Sequence, residues 1–450
     1  MLNRKFIESI NYGRILNFEG TAGHGSIDTR TIEAGDIFFA LQGEHADGHK
    51  FVSAAIAKGA ALCCVSAEWH ETQPNPDLPL WVVTDPYQAL RLLAEQWRGQ
   101  FSIPVLGITG TNGKTTTRAM IAHVLQQARH VHATRGNLNN QLGLPLTLLR
   151  LSRKDEISVL ELGTNHFGEI AELCKMARPT AGLITNIGHG HLEFFGSVAG
   201  VARAKAELLD SVPADGIVFV NMDDPHIRNM RPKARTMTFG FESKNVDYYG
   251  KIESFTEDGR ARLAINNDLT ITLTQPGKIP ALNALAAVTV GKYYRISDEQ
   301  IRDALGNFRP VYQRLKSITV GHYRVIDDSY NANPDSTMAG IDSLVKIPTT
   351  GKRILVFGDM FELGDFAAEG HRKVGEYIAG SAIDYLFAHG PLSENTVESA
   401  RQMGLDTAFH FTTKDQLIAK LLSVASPGDL IYVKGSRGMQ MEKIIEGLKN

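Results

Sequence analysis

The sequence predicts an α/β protein built from three domains. Apolar strand-like runs alternate with helical runs along most of the 450 residues, which is typical of doubly wound, mostly parallel sheets. A glycine-rich loop at residues 107–113 stands between one such strand and one such helix. A chain of this length holds two to four domains, each large enough to bury a core. We predict domains at residues 1–100, 101–310 and 311–450, the last being Rossmann-like and doubly wound.

Composition and charge exclude several classes of protein. Hydrophobic residues make up 43% of the chain and charged residues 21%, as in ordinary globular proteins. The formal net charge of −2 gives no general attraction to nucleic acid or to an anionic membrane. No apolar run is long enough to span a bilayer, and charges at the N-terminus interrupt the apolar core that a signal peptide needs. We therefore predict a cytoplasmic protein that neither binds nucleic acid nor inserts into a membrane.

The three cysteines cannot form a disulfide framework. Cys63 and Cys64 are adjacent within the apolar run Ala61–Val65, so a buried strand is the favoured interpretation there.

The first hundred residues predict a small α/β domain with polar loops. Pro86 is well placed to begin a helix, and the loop Ser26–Arg30 carries several polar side chains, which could simply be solvated. The predicted strands are 37–41, 61–65 and 80–84, and the predicted helices are 51–58 and 86–97.

The stretch Val105–Thr116 predicts a phosphate-binding loop. A strand leads into the glycine turn, and Ile121, Val124 and Leu125 give the following helix one apolar face. Glycines let the backbone approach a phosphate, and the helix N-terminus offers N–H groups and partial positive charge. Lys114 is expected to reach the β- and γ-phosphates of a nucleoside triphosphate, and Thr115 to hold Mg²⁺.

The spacing of this loop departs from the general phosphate-loop motif. That motif requires glycine where Ile108 stands. The alternative is a glycine turn before an exposed lysine. The strand–loop–helix context favours a central parallel-sheet domain of the P-loop ATPase kind, in which the loop supplies Gly110, Thr111, Asn112, Gly113, Lys114, Thr115 and Thr116.

Polar residues follow two further predicted strands of the central domain. Glu161 ends the apolar run Ile157–Glu161, and His189 and His191 follow the strand at residues 181–186. Because ligands bind outside the carboxyl ends of parallel strands, Glu161 is expected to act on the metal directly or through water. A zinc site lacks companion residues at the usual spacing, so His191 is expected to bind Mg²⁺ or to position phosphate.

Other polar residues of the central domain stand out less clearly from their pattern. The segment Gly136–Pro145, with Asn137, Asn139 and Asn140, is either a set of turns or a ligand-binding loop. Lys205, on the predicted helix 198–209, is by composition a surface lysine. Asn283, on an apolar helix from residue 281, suggests a specific hydrogen-bonding task. The remaining predicted strands are 216–220, 236–241, 248–254 and 261–273.

The last domain predicts ligand-binding loops at one edge of its sheet. Strands are predicted at 324–327, 353–357, 385–388 and 429–433. Their carboxyl ends lead into the loops Asp327–Ser336, Gly358–Met360 and Lys434–Gly438, where ligands bind in sheets of this kind.

These motifs, in this order, resemble those of the ATP-dependent Mur ligases across all three predicted domains. The matching segments are Gly110–Thr115, Gly136–Asn140, Glu161–Gly163, His191–Glu193, Asp327–Asp335, Gly358–Gly364 and Lys434–Arg437. The unusual glycine spacing is the one that this family uses. The resemblance is to the branch that adds D-alanyl-D-alanine (D-Ala-D-Ala).

The resemblance implies roles for individual residues. Asp28, Thr29 and Arg30 match a segment that binds uridine diphosphate (UDP), which makes residues 1–100 a UDP-sugar-binding domain. Lys205 matches a lysine that related enzymes carry as a carbamate, a further metal ligand. Asn283 matches an adenine contact, and Arg314 an arginine near the ATP phosphates. The substrate-binding residues implied are Asn137, Asn139, Asn140, Asn331, Asn333, Asp335 and Ser336.

Two departures from the family pattern concern the adenine site. The family often has His-Asn where Ile279 and Pro280 stand, and a glycine where Gln313 stands.

The reaction implied is ATP-driven amide formation in peptidoglycan precursor synthesis. The carboxylate of UDP-N-acetylmuramoyl-tripeptide would attack the γ-phosphate, and the amine of D-Ala-D-Ala would then displace phosphate from an acyl phosphate. Two anions meet in the first step, so neutralisation of their charge is the main requirement. The resemblance assigns this neutralisation to Lys114, Thr115, Glu161 and His191, with Lys205 as a carbamate. ATP, Mg²⁺ and a monomeric chain are expected.

Three alternatives remain open. A Mur ligase that adds the third amino acid tends to carry Asn-Pro-Arg where this chain has Asn333-Pro334-Asp335. A folylpolyglutamate synthase lacks the UDP-binding first domain. A nucleotide-dependent switch would use the loop without ligation and would not need a third α/β domain.

Overall fold

A computed structural model describes residues 2–43, 46–73, 77–309 and 313–449. The chain forms two compact units. The first comprises Met1–Gly107, His130–Gly163 and Ala171–Pro179, and the second Ile108–Arg129, Thr164–Ile170 and Thr180–Asn450. The predicted boundary after residue 310 falls outside the described residues, and the predicted domain limits remain a prediction.

The elements up to residue 98 are mostly short: a run of strands follows the first helix, and helices and strands alternate from residue 52 onward. They are β1 (Leu2–Asn3), α1 (Arg4–Glu8), β2 (Arg14–Leu16), β3 (Thr21–Ala22), β4 (Gly25–Ser26), β5 (Ile37–Phe39), α2 (Val52–Ala57), β6 (Leu62–Ser66), α3 (Ala67–Thr72), β7 (Leu80–Val83) and α4 (Pro86–Arg98).

A five-stranded sheet forms much of the first unit. Its order is β2-β7-β6-β5-β4, and every pair is parallel except β2 with β7. Cys63 and Cys64 lie buried in β6, as the apolar run predicted. Pro86 begins α4, where its missing N–H leaves no helical hydrogen bond unmade.

The elements of the middle of the chain follow. They are β8 (Val105–Thr109), α5 (Lys114–Leu125), β9 (Val131–Ala133), α6 (Gly143–Leu148), β10 (Ile157–Glu161), α7 (Glu169–Ala177), β11 (Ala181–Ile184), α8 (Leu192–Phe195), α9 (Val198–Ser211), β12 (Ile217–Asn221), β13 (Arg235–Gly240), β14 (Tyr248–Phe255), β15 (Arg260–Ile265), β16 (Leu269–Pro276), α10 (Lys278–Tyr293) and α11 (Asp298–Gly306).

In the second unit, β11 to β14 pair in parallel, and β14, β15 and β16 continue antiparallel. The prediction of one strand over residues 261–273 is wrong. The chain turns at Asn266 and Asn267, which both have positive φ. Asparagine tolerates this backbone conformation better than most residues, so the pair allows a tight turn between β15 and β16.

The elements of the last part of the chain alternate regularly. They are β17 (Lys316–Val320), β18 (Tyr323–Asp328), α12 (Pro334–Val345), β19 (Arg353–Gly358), α13 (Ala367–Ala379), β20 (Tyr385–His389), α14 (Ser393–Gln402), β21 (Ala408–Phe411), α15 (Lys414–Val424), β22 (Leu430–Lys434) and α16 (Glu442–Gly447).

These last strands form a six-stranded sheet with the order β17-β18-β22-β19-β20-β21. Only β17 is antiparallel to its neighbour, so the carboxyl ends of the other five strands share one edge. Apolar cores cover both faces of the sheet, one including residues of α12, α13 and α14 and the other residues of α15 and α16. The predicted doubly wound α/β pattern is confirmed.

No helix among the described residues is long and apolar enough to cross a membrane. The cytoplasmic location stays a prediction.

Candidate active site

The loop between β8 and α5 has the backbone of a phosphate cradle. Gly110 and Gly113 have φ of 146° and 79°, the latter in the left-handed region. A Cβ at Gly110 would lie 1.9 Å from Thr185 Oγ1, and one at Gly113 would lie 2.7 Å from Asn283 Oδ1. Because both contacts are too short for a carbon atom, the loop requires glycine at these positions.

Side chains that follow β11 hold this loop in shape. Asn112 O accepts hydrogen bonds from Thr185 Oγ1 at 2.6 Å and Asn186 Nδ2 at 3.0 Å. The Asn112 N–H donates to Asn186 Oδ1 at 2.9 Å, and the Gly188 N–H donates to Thr111 Oγ1 at 2.9 Å. These hydrogen bonds fix the loop to the segment that follows β11.

Cationic and hydroxyl groups stand at the N-terminus of α5. Lys114 Nζ donates to Gly110 O at 2.8 Å and Thr111 O at 3.1 Å, so its ammonium lies over the loop. Thr115, in the first turn of α5, is buried. The first-turn N–H groups of a helix have no intrahelical acceptors and favour anions. These groups together suit a polyphosphate with its bound cation.

A cavity of about 290 Å³ opens beside the loop, and all its lining residues belong to the second unit. Phosphate-loop residues form one wall. Other residues that line it are Phe239, Phe241, Ile279, Pro280, Leu282, Asn283, Arg314, Asp328, Tyr330, Asn331, Asn333, Asp335, Ser336 and Lys434.

One part of the cavity is apolar and suits a planar base. Phe239 and Phe241 at the end of β13 stand with Ile279, Pro280 and Leu282 around it. The two phenylalanines were not predicted as site residues from the sequence, although their position at the carboxyl end of a parallel strand is a signal for ligand binding. Ile279 and Pro280, which depart from the family pattern, therefore still line this wall.

Asn283 and Arg314 lie at the same cavity. Asn283 is buried, and its Oδ1 accepts a hydrogen bond from Thr117 Oγ1 at 3.1 Å. This bond ties α10 to the phosphate-loop helix, a specific task of the kind that the sequence suggested. The Arg314 guanidinium lies 4.4 Å from the ring centroid of Tyr330, a cation–π contact that fixes its direction.

A buried charge network lies at the carboxyl ends of β18 and β22. Lys434 Nζ lies 2.6 Å from Asp328 Oδ2 and donates to Asn331 O at 3.1 Å. The Tyr432 hydroxyl donates to the same Asp328 oxygen at 2.8 Å, and burial, followed by Asp328, raises the pKa of that phenol. Asp328 is therefore held as a paired carboxylate facing the cavity.

Two side chains near the start of α12 contact the phosphate-loop region directly. Asn333 exchanges amide hydrogen bonds with Asn112 at 2.8 and 3.2 Å. Asp335 Oδ2 accepts the His189 N–H at 2.6 Å, and its Oδ1 lies 3.0 Å from His189 Nδ1. Asn333 also caps α12 by accepting the Ser336 N–H at 2.8 Å. Of the four predicted substrate-binding residues in the last part of the chain, Asn333, Asp335 and Ser336 are thus held by other protein groups, while exposed Asn331 borders the cavity.

His191 pairs with a carboxylate from the last part of the chain. Its Nδ1 lies 2.8 Å from Glu362 Oε2. The ring nitrogen and the carboxylate oxygen are thus within hydrogen-bond distance of each other. The hydrogen bond with His191 lowers the pKa of Glu362 although burial acts in the opposite direction, and the charge of Lys114 adds a smaller lowering, so Glu362 lies near the phosphate loop.

Lys205 is buried, with 1% of its surface exposed. The interpretation as a surface lysine is wrong, because the face of α9 that carries Lys205 packs inward. Burial and then the positive charge of Lys114 lower its pKa well below the ordinary range. A buried lysine next to another cation favours the neutral amine, which is the form that can take up CO₂ as a carbamate.

The predicted UDP-binding segment lies in the first unit. Asp28 accepts the Arg30 N–H at 2.8 Å, and Arg30 Nη2 lies 2.7 Å from Asp28 Oδ2. The paired Arg30 lowers the pKa of Asp28. Lys58 Nζ donates to Thr29 O at 2.7 Å. The segment is a polar turn whose Arg30 side chain is exposed.

The asparagine loop also lies in the first unit and has mixed roles. Asn140 Oδ1 accepts the N–H groups of Leu142 and Gly143 at 3.2 and 2.9 Å, so it supports the start of α6. Asn137 O accepts the Asn139 N–H at 2.8 Å, which closes a turn. Asn139 Nδ2 donates to Glu161 Oε1 at 2.8 Å, and this bond orients the carboxylate at the end of β10.

The four predicted metal ligands are divided between the two units. Thr115, His191 and Lys205 belong to the second unit and Glu161 to the first. A hydroxyl, a carboxylate and a carbamate are oxygen donors of the kind that Mg²⁺ prefers. In the described part of the chain, one trio of His, Cys, Asp or Glu has its ligand atoms within 4.8 Å: His24, Glu33 and Asp36. Asp36 accepts the backbone N–H groups of His24 and Glu33, and these two hydrogen bonds explain why the three side chains lie close together.

Three family models match consecutive parts of the chain. "Mur ligase family, catalytic domain" covers residues 24–98, "Mur ligase middle domain" residues 108–291, and "Mur ligase, glutamate ligase domain" residues 313–437.

Curated proteins are similar over almost the whole chain. The UDP-N-acetylmuramoyl-tripeptide–D-alanyl-D-alanine ligase of Bacillus subtilis (strain 168) is 37% identical over 96% of this chain and 94% of its own length. The ligase of the same name from Escherichia coli (strain K12) is 36% identical over 94% and 92%.

Solved structures share the fold. A crystal structure of MurF from Acinetobacter baumannii has a TM-score of 0.88 at 29% identity, covering 100% of this chain and 98% of that one. The MurF ligase of Thermotoga maritima in complex with ADP has a TM-score of 0.81 at 27% identity, covering 95% and 97%.

Proposed function

Because the chain belongs to the Mur ligase family, we infer that it joins D-Ala-D-Ala to UDP-N-acetylmuramoyl-tripeptide in an ATP-dependent reaction of peptidoglycan synthesis. The observation that carries this conclusion is the 37% identity to the Bacillus subtilis ligase of that name over 96% of the chain. The predicted activity and family are thereby confirmed. The organised phosphate loop and the cavity beside it supply a site for the nucleotide.

We assign the nucleotide to the second unit. The phosphates would lie on the loop Gly110–Thr116. The base would lie between Phe239 and the apolar wall formed by Ile279, Pro280 and Leu282. Asn283 would contact the edge of the base, and Arg314 would lie toward the phosphates. The ADP complex of the Thermotoga maritima relative supports this assignment. Lys114 would leave the loop carbonyls for the β- and γ-phosphates, because a phosphate oxygen is the stronger acceptor for an ammonium group.

We assign Mg²⁺ to Thr115, Glu161, His191 and the carbamate of Lys205. The oxygen chemistry of three of these groups and the burial of Lys205 support the assignment. Bound there, Mg²⁺ would neutralise charge on the phosphates.

The reaction that these residues serve is formation of an amide through an acyl phosphate. Lys114 would stabilise the negative charge that develops when the peptide carboxylate approaches the γ-phosphate. The amine of D-Ala-D-Ala then attacks the acyl carbon and phosphate leaves. Holding the amine against the acyl carbon and excluding water are the remaining requirements.

We assign the two peptide substrates to different parts of the chain. The polar turn at Asp28, Thr29 and Arg30 and the loop with Asn137, Asn139 and Asn140 would bind the UDP-linked peptide. The acceptor dipeptide is assigned to Asn331, Asn333, Asp335 and Ser336, which border the cavity beside the phosphate loop. A monomeric chain with domains at residues 1–100, 101–310 and 311–450 remains part of the proposal.

A coupled phosphate-release assay tests this function. With ATP, Mg²⁺ and UDP-N-acetylmuramoyl-tripeptide, release should require D-Ala-D-Ala and should match the amide product mole for mole. Rapid release without an acceptor would identify a nucleotide-hydrolysing switch instead. Running the assay with tripeptides that end in diaminopimelate or in lysine would identify the third residue.

A further inference from the structure

The loop at residues 358–364, which follows β19, connects the last part of the chain to the segment that carries His191. Glu362 O accepts the Glu193 N–H at 3.1 Å, and Glu362 Oε2 lies 2.8 Å from His191 Nδ1. A Cβ at Gly364 would lie 3.0 Å from the Glu193 Cα. The loop therefore reaches a predicted metal ligand through backbone, side-chain and packing contacts.

Both partners of the His191–Glu362 contact have strained backbones. His191 has φ of 59° and Glu362 has φ of 62°, values that residues other than glycine rarely adopt. Such conformations persist where surrounding groups hold them, and they are frequent at functional sites. Contacts with neighbouring residues must therefore hold the 358–364 loop in this conformation.

His371 is one group that holds it. It lies on α13 with 0% of its surface exposed. Its Nε2 accepts the Met360 N–H at 3.1 Å, and its Nδ1 donates to Ala367 O at 2.8 Å. Ser436 forms a second clamp, because its Oγ accepts the Phe361 N–H at 2.9 Å and its N–H donates to Asp359 O at 3.0 Å.

Only a neutral imidazole can make both His371 bonds. A second ring proton would point Nε2–H at the Met360 N–H. Burial lowers the pKa of His371, whereas the hydrogen bond to the Ala367 carbonyl and then the charge of Asp359 act in the opposite direction. Helix α14 packs against α13 near this point, and the residues it contributes to the contact, Thr396 and Ser399, are uncharged. The surroundings thus keep His371 neutral, with its proton on Nδ1.

We propose that His371 is a positioning residue for the ligase reaction: by accepting the Met360 N–H, it holds the 358–364 loop so that Glu362 orients His191. His371 itself touches no reacting atom. In metal sites, a carboxylate bonded to one nitrogen of a histidine fixes which nitrogen faces the metal. His371 acts on the loop that carries such a carboxylate, that of Glu362. The functional consequence rests on the proposed function.

The test compares His371→Leu with His371→Gln. Leucine fills the space and leaves the Met360 N–H without its acceptor, whereas the glutamine oxygen can occupy the place of Nε2. At limiting Mg²⁺, His371→Leu should lower kcat/KM for ATP by about tenfold or more and leave the KM for the UDP-linked peptide within twofold. His371→Gln should return kcat/KM to within threefold of wild type. His132→Leu, which alters another buried histidine, is the matched control and should leave both constants unchanged.

Amide hydrogen exchange supplies a readout that needs no catalysis. The Met360 amide should exchange at least ten times faster in His371→Leu than in the wild type and in His371→Gln. Equal exchange in all three proteins would overturn the proposal. So would equal kinetic losses for the leucine and glutamine variants, or an equal loss for His132→Leu. If the wild type makes no amide product, the proposed function fails, while the exchange rates still decide whether His371 holds the loop.

Discussion

Asn112 of the phosphate loop and Asn333, the residue that caps α12, exchange a pair of amide hydrogen bonds. Asn112 Nδ2 donates to Asn333 Oδ1 at 3.2 Å, and Asn333 Nδ2 donates to Asn112 Oδ1 at 2.8 Å. One residue belongs to the loop assigned to phosphate and the other to the loop assigned to the acceptor. The two binding regions are therefore physically linked through one pair of side chains.

Removing this amide pair should weaken catalysis without unfolding the protein. Asn333→Ser keeps a good helix cap at α12 and removes the bonds to Asn112, so kcat/KM for ATP should fall about tenfold while Tm changes little. Asn112→Ser should have a similar effect. Because the two residues act as a pair, the double variant should be scarcely worse than either single variant. Losses that multiply would show that the residues act independently.

Lys114→Ala tests the phosphate loop. The substitution removes the cation that lies over Gly110 and Thr111. Loss of one such electrostatic contact typically lowers the rate about a hundredfold or more, so turnover should nearly vanish while circular dichroism shows a folded protein. Exposed Lys154→Ala is the control. A folded Lys114→Ala protein with a near-normal rate would remove the loop from the mechanism.

Lys205→Ala tests the carbamate. Replacing a surface lysine would change the free energy of unfolding by less than about half a kcal/mol and would not change the rate. Lys205, however, is buried. We expect most activity to be lost at limiting Mg²⁺ and partly restored by small carboxylic acids such as acetate. The wild type supplied with ¹³C-bicarbonate should show a carbamate carbon signal that Lys205→Ala lacks. Wild-type kinetics for the variant would contradict the assignment.

Buried His132 should make the protein less stable in mild acid. Burial lowers its pKa in the folded state, so below about pH 6.5 the unfolded chain binds more protons than the folded one. Its contribution to stability is therefore present above that pH and is lost as the pH falls, by up to about 1.4 kcal/mol per pH unit. His132→Gln should show a smaller fall in Tm between pH 7.5 and 5.5 than the wild type. Exposed His322→Gln should match the wild type, and equal falls in all three would contradict this account.

Local signals in the sequence predicted much of the fold. The strand Ile157–Glu161 was predicted at its observed limits, because an apolar run bounded by polar residues has few other interpretations. The phosphate loop was equally visible, since glycine spacing and a following Lys-Thr pair are local features. The turn at Asn266–Asn267 was missed because apolar and polar residues alternate on both sides of it, as they would in one continuous strand.

Features that depend on distant segments could not be predicted from periodicity or composition. Burial of Lys205 depends on what packs against α9, and the paired charges of Asp328 and Lys434 meet only when β18 and β22 become neighbours. The apolar wall formed by Phe239 and Ile279 likewise joins two separate segments. The resemblance singled out Lys205 because its position matches the family pattern, whereas its burial is visible only in the fold.

The most direct test of the function is the choice of acceptor. The purified protein would receive ATP, Mg²⁺ and UDP-N-acetylmuramoyl-tripeptide, with D-Ala-D-Ala, meso-diaminopimelate or L-lysine as the sole acceptor, and products would be identified by mass. UDP-N-acetylmuramoyl-dipeptide would be tested with the same three acceptors. The account predicts the pentapeptide product with D-Ala-D-Ala at a rate far above that of every other combination. Preferential addition of a single amino acid to the dipeptide substrate would contradict it.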